Sequence, residues 1–419
     1  MRERAESAER AEALSGWGRT FASLRQYRDY RLVWLGSVSE HLGEWMELVA
    51  LSWLVWEMTH SAFLLGLVSF ARLIPMSVFS MIGGVVADRV DRKRLLMTAL
   101  LGSALISVGL AILVNTGAIA IWHLLAASLL SGILTSFNHP ARQTIVPNVV
   151  PREQLLNAIS LDSFSVLGTR IIGPSLAGYC IDRFGVAPVF GTRAVGALVA
   201  IWWLWGMRMP PTPPEARRKS PWHNLGEGFR YLADNRVIMA LAALYLIPMF
   251  FNWAYQTVLP IFADKVFHAG AMGLGYLNTA SGVGSMVSLL SLASAWGARR
   301  RKGQVLFRSG LLMGAALFLF AGSQWLLPSL VLLAAVGAFV TTFQTVNNTL
   351  IQSLIPDELR GRVTSLREMA MGIGAPLGSL LIGVLAQRSG APLATAIFGL
   401  LCLVMVTTAA LLLSKVRKL

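Results

Sequence analysis

A run of about 20 apolar residues is what an α-helix needs to cross the hydrocarbon core of a bilayer, and within that core every backbone N–H must find its partner inside the helix. This chain consists of such runs, one after another. In the first half they lie near 32–56, 63–87, 95–114, 119–137, 156–181 and 186–206, and in the second near 237–262, 272–296, 305–326, 329–350, 363–387 and 391–413. A soluble domain carries about 25% charged residues; here the share is 14%, against 55% apolar. The spacing predicts an all-α, multi-pass protein of a cell membrane with twelve transmembrane helices. The opening residues, MRERAESAERAEALSGWGRT, are too charged for the apolar core of a signal peptide, so no cleaved leader is expected. Cys180 and Cys402 fall in or at the ends of spans and read as small buried hydrophobes rather than a disulfide.

The first span breaks the pattern. SEHLGEWMELVALSWLVW places Glu40, His41, Glu44 and Glu47 in an otherwise apolar segment, and a charge at the bilayer centre costs about 2.5–3.5 kcal/mol. At 100° per residue Glu44 lies about 40° round from Glu40, and Glu47 about 20° to the other side. The three acids therefore share one stripe, which must face protein or water rather than lipid. Glu44, nearest the middle of the span, is expected to be the most desolvated. Intramembrane partners on offer are Arg72, Arg170 and Arg193, with Asp162 as a further acid. A metal site from Glu40, His41 and Glu44 is not expected, because His41 points off the stripe.

The net charge of +15 would suit a nucleic-acid binder, but the positions of the charges argue otherwise. Most of the 36 Lys and Arg lie in the termini and the even-to-odd connections, such as Arg92-Lys93-Arg94, Arg217-Arg218-Lys219 and Arg299 to Lys302. The opposite connections hold only Arg183, Lys265 and Arg388. That is the positive-inside bias, which predicts cytoplasmic termini and no nucleic-acid partner.

The chain also repeats itself. NHPARQTIVP (138–147) and NNTLIQSLIP (347–356) align without a gap, so that Asn138, Gln143 and Pro147 fall on Asn347, Gln352 and Pro356. At the same offset Arg92-Lys93 falls on Arg301-Lys302. The predicted layout is a cytoplasmic N-terminal segment (1–31), a six-helix bundle (32–206), a cytoplasmic linker (207–236), a second six-helix bundle (237–413) and a cytoplasmic tail (414–419). Parallel repeats of this kind place a substrate site near the midplane, between pseudo-symmetric halves.

GGVVADRVDRKRLL (83–96) resembles the signature loop of the major facilitator superfamily, with Gly84, Asp88, Arg89, Arg92, Lys93 and Arg94 in the matching places. Asp91 stands where that pattern usually has Gly. This departure, with YRLVWLG, HPARQTIVPNVVPREQLLNAISL and RIIGPSLAG, is similar to the branch holding the enterobactin exporter and macrolide efflux proteins. The resemblance implies that Gly84, Asp88, Arg89 and Arg92 form a conformational latch, with Asp88 meeting the start of the eleventh span. It also implies that the first span lines the central cavity.

These features point to a secondary transporter rather than an enzyme, with no cofactor and no metal, acting as a monomer on a small-molecule substrate. Proton-coupled export of amphipathic molecules such as drugs or siderophores is the expected activity. Nutrient uptake or lysophospholipid transport is the alternative within the class, and a non-transporting membrane sensor the alternative outside it. Candidates for proton coupling or substrate contact are Glu40, Glu44, Glu47, Asp162 and Arg170. Candidate cavity-lining residues are Asn252, Tyr255, Gln256, Gln344, Asn347 and Glu368. The fourth span, AIAIWHLLAASLLSGILTSF, lacks the Arg that many proton-coupled antiporters carry there, so coupling is inferred from the acids alone.

Overall fold

The computed structural model describes residues 21–207, 235–295, 301–355 and 360–417; inside its helices the side chains of 80–89, 293–295 and 360–371, and of a few single positions, are not described. Nearly all of the expected linker, 208–234, lies outside the described residues, as do the side chains of Gly84, Asp88, Arg89 and Glu368. Among the described residues there are twelve long helices and no strand. They are α1 Arg28–Thr59, α2 Ala62–Arg89, α3 Arg92–Asn115, α4 Ile121–Val149, α5 Leu155–Phe184 and α6 Ala187–Trp205 in the first half. The second half holds α7 Arg236–Ile261, α8 Gly270–Ala295, α9 Lys302–Gly322, α10 Leu326–Leu354, α11 Arg360–Ser389 and α12 Ala391–Leu412.

Nine of these are long and apolar enough to cross a membrane on composition alone, and α1 with its acids is not among them. Several helices outrun the hydropathy spans by a turn or more, since a helix continues into the polar interface after its apolar stretch ends. The extension matters most in α4, which runs to Val149 and so contains Arg142. The expectation that the fourth helix lacks an arginine is thereby corrected.

The two halves pack alike. In the first, α1 lies against α5 and α6, α2 against α4, and α3 against α4 and α6. In the second, α7 lies against α11 and α12, α8 against α10, and α9 against α10 and α12. Between halves α2 meets α11 and α8 meets α5, the same pair of positions taken twice. That is a pseudo-two-fold arrangement. Its repeat is visible in single bonds: Asn138 Nδ2 of α4 donates to Glu40 Oε1 of α1 (2.7 Å), and Asn347 Nδ2 of α10 donates to the Leu241 carbonyl of α7 (3.0 Å).

The described contacts between halves gather at the helix ends away from the chain termini. Trp56 Nε1 donates to Asp264 Oδ2 (2.9 Å), in the π-helical turn Phe262–Val266 that follows α7. Ser61 Oγ and the Phe63 amide donate to Gln387 Oε1 (3.0 and 3.2 Å). The Thr279 hydroxyl donates to the Ile171 carbonyl (2.7 Å) beside Ser175 Oγ. Deeper in, Ser77 Oγ donates to the Gly372 carbonyl. A Cβ on Gly275 would sit 2.5 Å from the Pro174 carbonyl oxygen, so this α5–α8 seam closes on bare backbone.

Candidate substrate cavity and its ion-pair network

The acids of α1 are distributed among three arginines, one from each even-numbered helix of the first half. Glu40 is buried at 6% exposure and takes Arg142 Nη1 of α4 at 3.1 Å, with Asn138 on its other oxygen. Glu47, at 3% exposure, takes Arg193 Nε of α6 at 3.1 Å. Arg193 Nη1 also donates to the Glu40 carbonyl (3.2 Å), so one guanidinium ties two turns of α1 to α6. The close approach needs Gly43, where a Cβ would come within 3.1 Å of Arg193 Cα and Cδ. Two charges in low dielectric are tolerable only when paired and hydrogen-bonded.

Glu44 is held differently. Its contacts are long, 3.6 Å to Arg72 Nη2 of α2 and 3.5 Å to His41 Nδ1, and its side chain is 32% exposed against 4% for Glu47. The expectation that Glu44 would be the most desolvated is corrected: it is the most open of the three. The step round the helix turns it toward the gap between the halves, while its two neighbours on the stripe face α4 and α6. Two buried nitrogens complete the network without a hydrogen bond of their own, Arg72 Nη1 and Arg142 Nη2. Each nonetheless faces a carboxylate oxygen at long range, Glu47 at 3.9 Å and Asp162 at 3.7 Å.

Glu44 opens into a cavity of about 230 Å³ bounded by both halves. From the first half come His41, Trp45, Leu48, Arg72 and Met76, and from the second Trp253, Ala375 and Pro376. A narrower pocket of about 50 Å³ shares Leu48, Arg72 and Trp253 with it and adds Gln256, Thr257 and Asn278. Its wall is thus mostly apolar and aromatic with a few convergent polar groups, the usual make-up of a small-molecule site.

The other expected residues fall in several places. Arg170 pairs with no carboxylate among the described residues; its guanidinium lies 5.4 Å over the Trp45 ring. Asp162 faces Arg142 rather than the cavity wall. Gln256 lines the narrower pocket. Tyr255 is fully buried and its hydroxyl bonds Ser281 Oγ (2.9 Å), and Asn347, also fully buried, joins α10 to α7; both are packing contacts within the second half rather than cavity wall. Asn252 is buried with Oδ1 unpartnered, and Gln344 is half-buried. Arg92 opens α3, whose N-cap is Asp91: its carboxylate accepts from the Lys93 and Arg94 amides (2.9 and 3.2 Å). That capping role explains an acid where the superfamily pattern has Gly. Reading the sequence missed Arg142, although it lies within the repeat segment itself.

Twelve helices in two like bundles, with a cavity between them and paired charges on its wall, define a secondary transporter of the major facilitator type. The chain belongs to the family described as transmembrane secretion effector, whose model matches residues 18–419. It is 29% identical to the staphyloferrin A transporter of Staphylococcus aureus, over 87% of this chain and 92% of that one. It is 24% identical to macrolide efflux protein A of Streptococcus pyogenes (88% and 92% covered) and 27% identical to the enterobactin exporter EntS of Shigella boydii (92% of each). Among solved structures, a bacterial homologue of the human lysosomal transporter Spinster, inward-facing and unoccupied, matches with a TM-score of 0.73 at 15% identity, covering 94% of this chain and 98% of that one. The inward-open xylose transporter XylE of E. coli matches at 0.69 and 15%, covering 90% and 94%. At that identity the likeness concerns the fold alone.

Proposed function

We propose that this transporter exports amphipathic small molecules by alternating access, driven by protons that enter through Glu44. The observation that carries the reading is the cavity: an apolar, aromatic wall with one open carboxylate. Trp45, Leu48, Met76 and Trp253 suit the apolar body of a ligand, and Glu44 meets its cationic or hydroxyl group. Glu40 and Glu47 are closed off by their arginines at 3.1 Å. Glu44 sits in looser contacts and can exchange them for a proton or a substrate group. The unbonded nitrogens of Arg72 and Arg142 supply the slack, because an under-satisfied buried network gains by rearranging. The names of two relatives, an exporter and an efflux protein, favour the outward direction. Energy comes from a gradient, the termini face the cytoplasm, and the protein acts as a single chain, a reading supported by both of its halves bounding the cavity.

The test is Glu44→Gln in proteoliposomes. The amide keeps size and hydrogen bonding but cannot titrate, so downhill counterflow should survive while pH-driven accumulation is lost. Full pH-driven transport by this variant would refute Glu44 as the coupling site and move it to Asp162, the other loosely paired acid. Loss of counterflow as well would make Glu44 a substrate ligand.

A further inference from the structure

A second, larger cavity of about 690 Å³ lies away from the central one, between α8, α9 and α10. It is at the helix ends nearer the chain termini, where α9 begins. One face of α9 lines it: Arg301, Gln304, Val305, Arg308 and Leu312 recur at helical spacing. Arg301 and Arg308 are exposed and have no ion-pair partner among the described residues. The three lining helices offer them none. No Asp or Glu occurs between Asp264 and Asp357, so α8, α9 and α10 hold no carboxylate at all. Asp264 is committed to Trp56 at the opposite end of the molecule.

The matching place in the first half has its own anion. There Asp91 caps α3 with its carboxylate; by the repeat, its counterpart is Arg300, and no side chain caps the start of α9. The first half thus supplies at this place a carboxylate that α8, α9 and α10 do not. The cavity also has an open apolar flank, where Leu312 on its wall is 48% exposed.

We propose that this cavity holds the headgroup of an anionic phospholipid, with its phosphate between Arg301 and Arg308 and an acyl chain running along Leu312 and Phe339. Arg301 sits at the end of the helix, level with the interface. Arg308, two turns deeper, reaches up to the same level along its own methylenes. A basic pocket between membrane helices is suited to an anionic headgroup. A soluble phosphate ester would leave the apolar half of the cavity unfilled.

The experiment uses the purified full chain in detergent, titrated with phosphatidylglycerol or phosphatidylcholine, with retained lipid counted by native mass spectrometry. Phosphatidylglycerol should be preferred, and Arg301→Gln/Arg308→Gln should lose about thirtyfold of that preference. Gln304→Glu, which supplies a carboxylate inside the cavity, should lose it too. Arg183→Gln, at the opposite membrane face, should keep it. Equal binding of the two lipids overturns the proposal, as does a preference that survives both the double variant and Gln304→Glu. Inorganic phosphate displacing phosphatidylglycerol at equal concentration would also overturn it, by making the site one for free phosphate.

Discussion

Three acids one or two turns apart in α1 differ in what each one touches. Glu40 and Glu47 are each buried and matched at 3.1 Å by an arginine from another helix. Removing one partner of a buried pair strands a charge and typically costs about 3–5 kcal/mol. Arg193→Met should therefore destabilise the protein by several times as much as Glu44→Gln. Arg193→Met/Glu47→Gln together should recover much of the loss. Denaturant titration in detergent checks this, and a double variant as unstable as the single one would mean that the bond from Arg193 to the Glu40 carbonyl dominates instead. The stripe itself was legible in SEHLGEWMEL, since helical spacing alone puts the three acids on one side. Which acid would face the cavity was not legible, because that depends on where α4 and α6 sit around α1, a matter of tertiary packing.

At the scale of helices, hydropathy located all twelve but not their ends. A window that scores apolar residues stops where the polar interface begins, and the helix does not. Arg142 was lost from view in this way: it sits past the continuous apolar run that ends near 137, yet packing against Glu40 and Asp162 draws it into the protein. The repeat was legible from a handful of matched residues, and Asn138 and Asn347 turn out to join corresponding helix pairs. What a single sequence cannot carry is the state of the seams. The α5–α8 seam is closed at the end away from the termini, and Gly275 allows it, since a side chain there would meet the Pro174 carbonyl. Gly275→Val should wedge this seam and raise the population open on that face. The check is accessibility of a cysteine placed at Asn278, on the narrow pocket, to an impermeant reagent from outside. Unchanged labelling would mean that the seam yields elsewhere.

For the molecule as a whole, the distribution of basic residues predicts the topology, with the termini and the 207–236 linker on the cytoplasmic side. Lys219→Cys, in a background without Cys180 and Cys402, should resist impermeant thiol reagents in intact cells and react once the membrane is opened. Strong labelling from outside would invert the assignment. The ion pairs of α1 also bear on how the protein is made. This helix leaves the ribosome before any of its three arginine partners, and with its acids unmatched it falls short of the apolar content of nine of its sisters. A lone α1 should therefore partition poorly from the translocon into lipid, each unpaired acid weighing against insertion. It should settle only when α2, α4 and α6 arrive to neutralise it. A glycosylation reporter on α1 alone and on α1–α6 would read this directly, with efficient insertion expected only for the longer chain. Nascent α1 would then wait at the membrane as an unfinished segment, so the charges that equip the cavity also set the order of assembly.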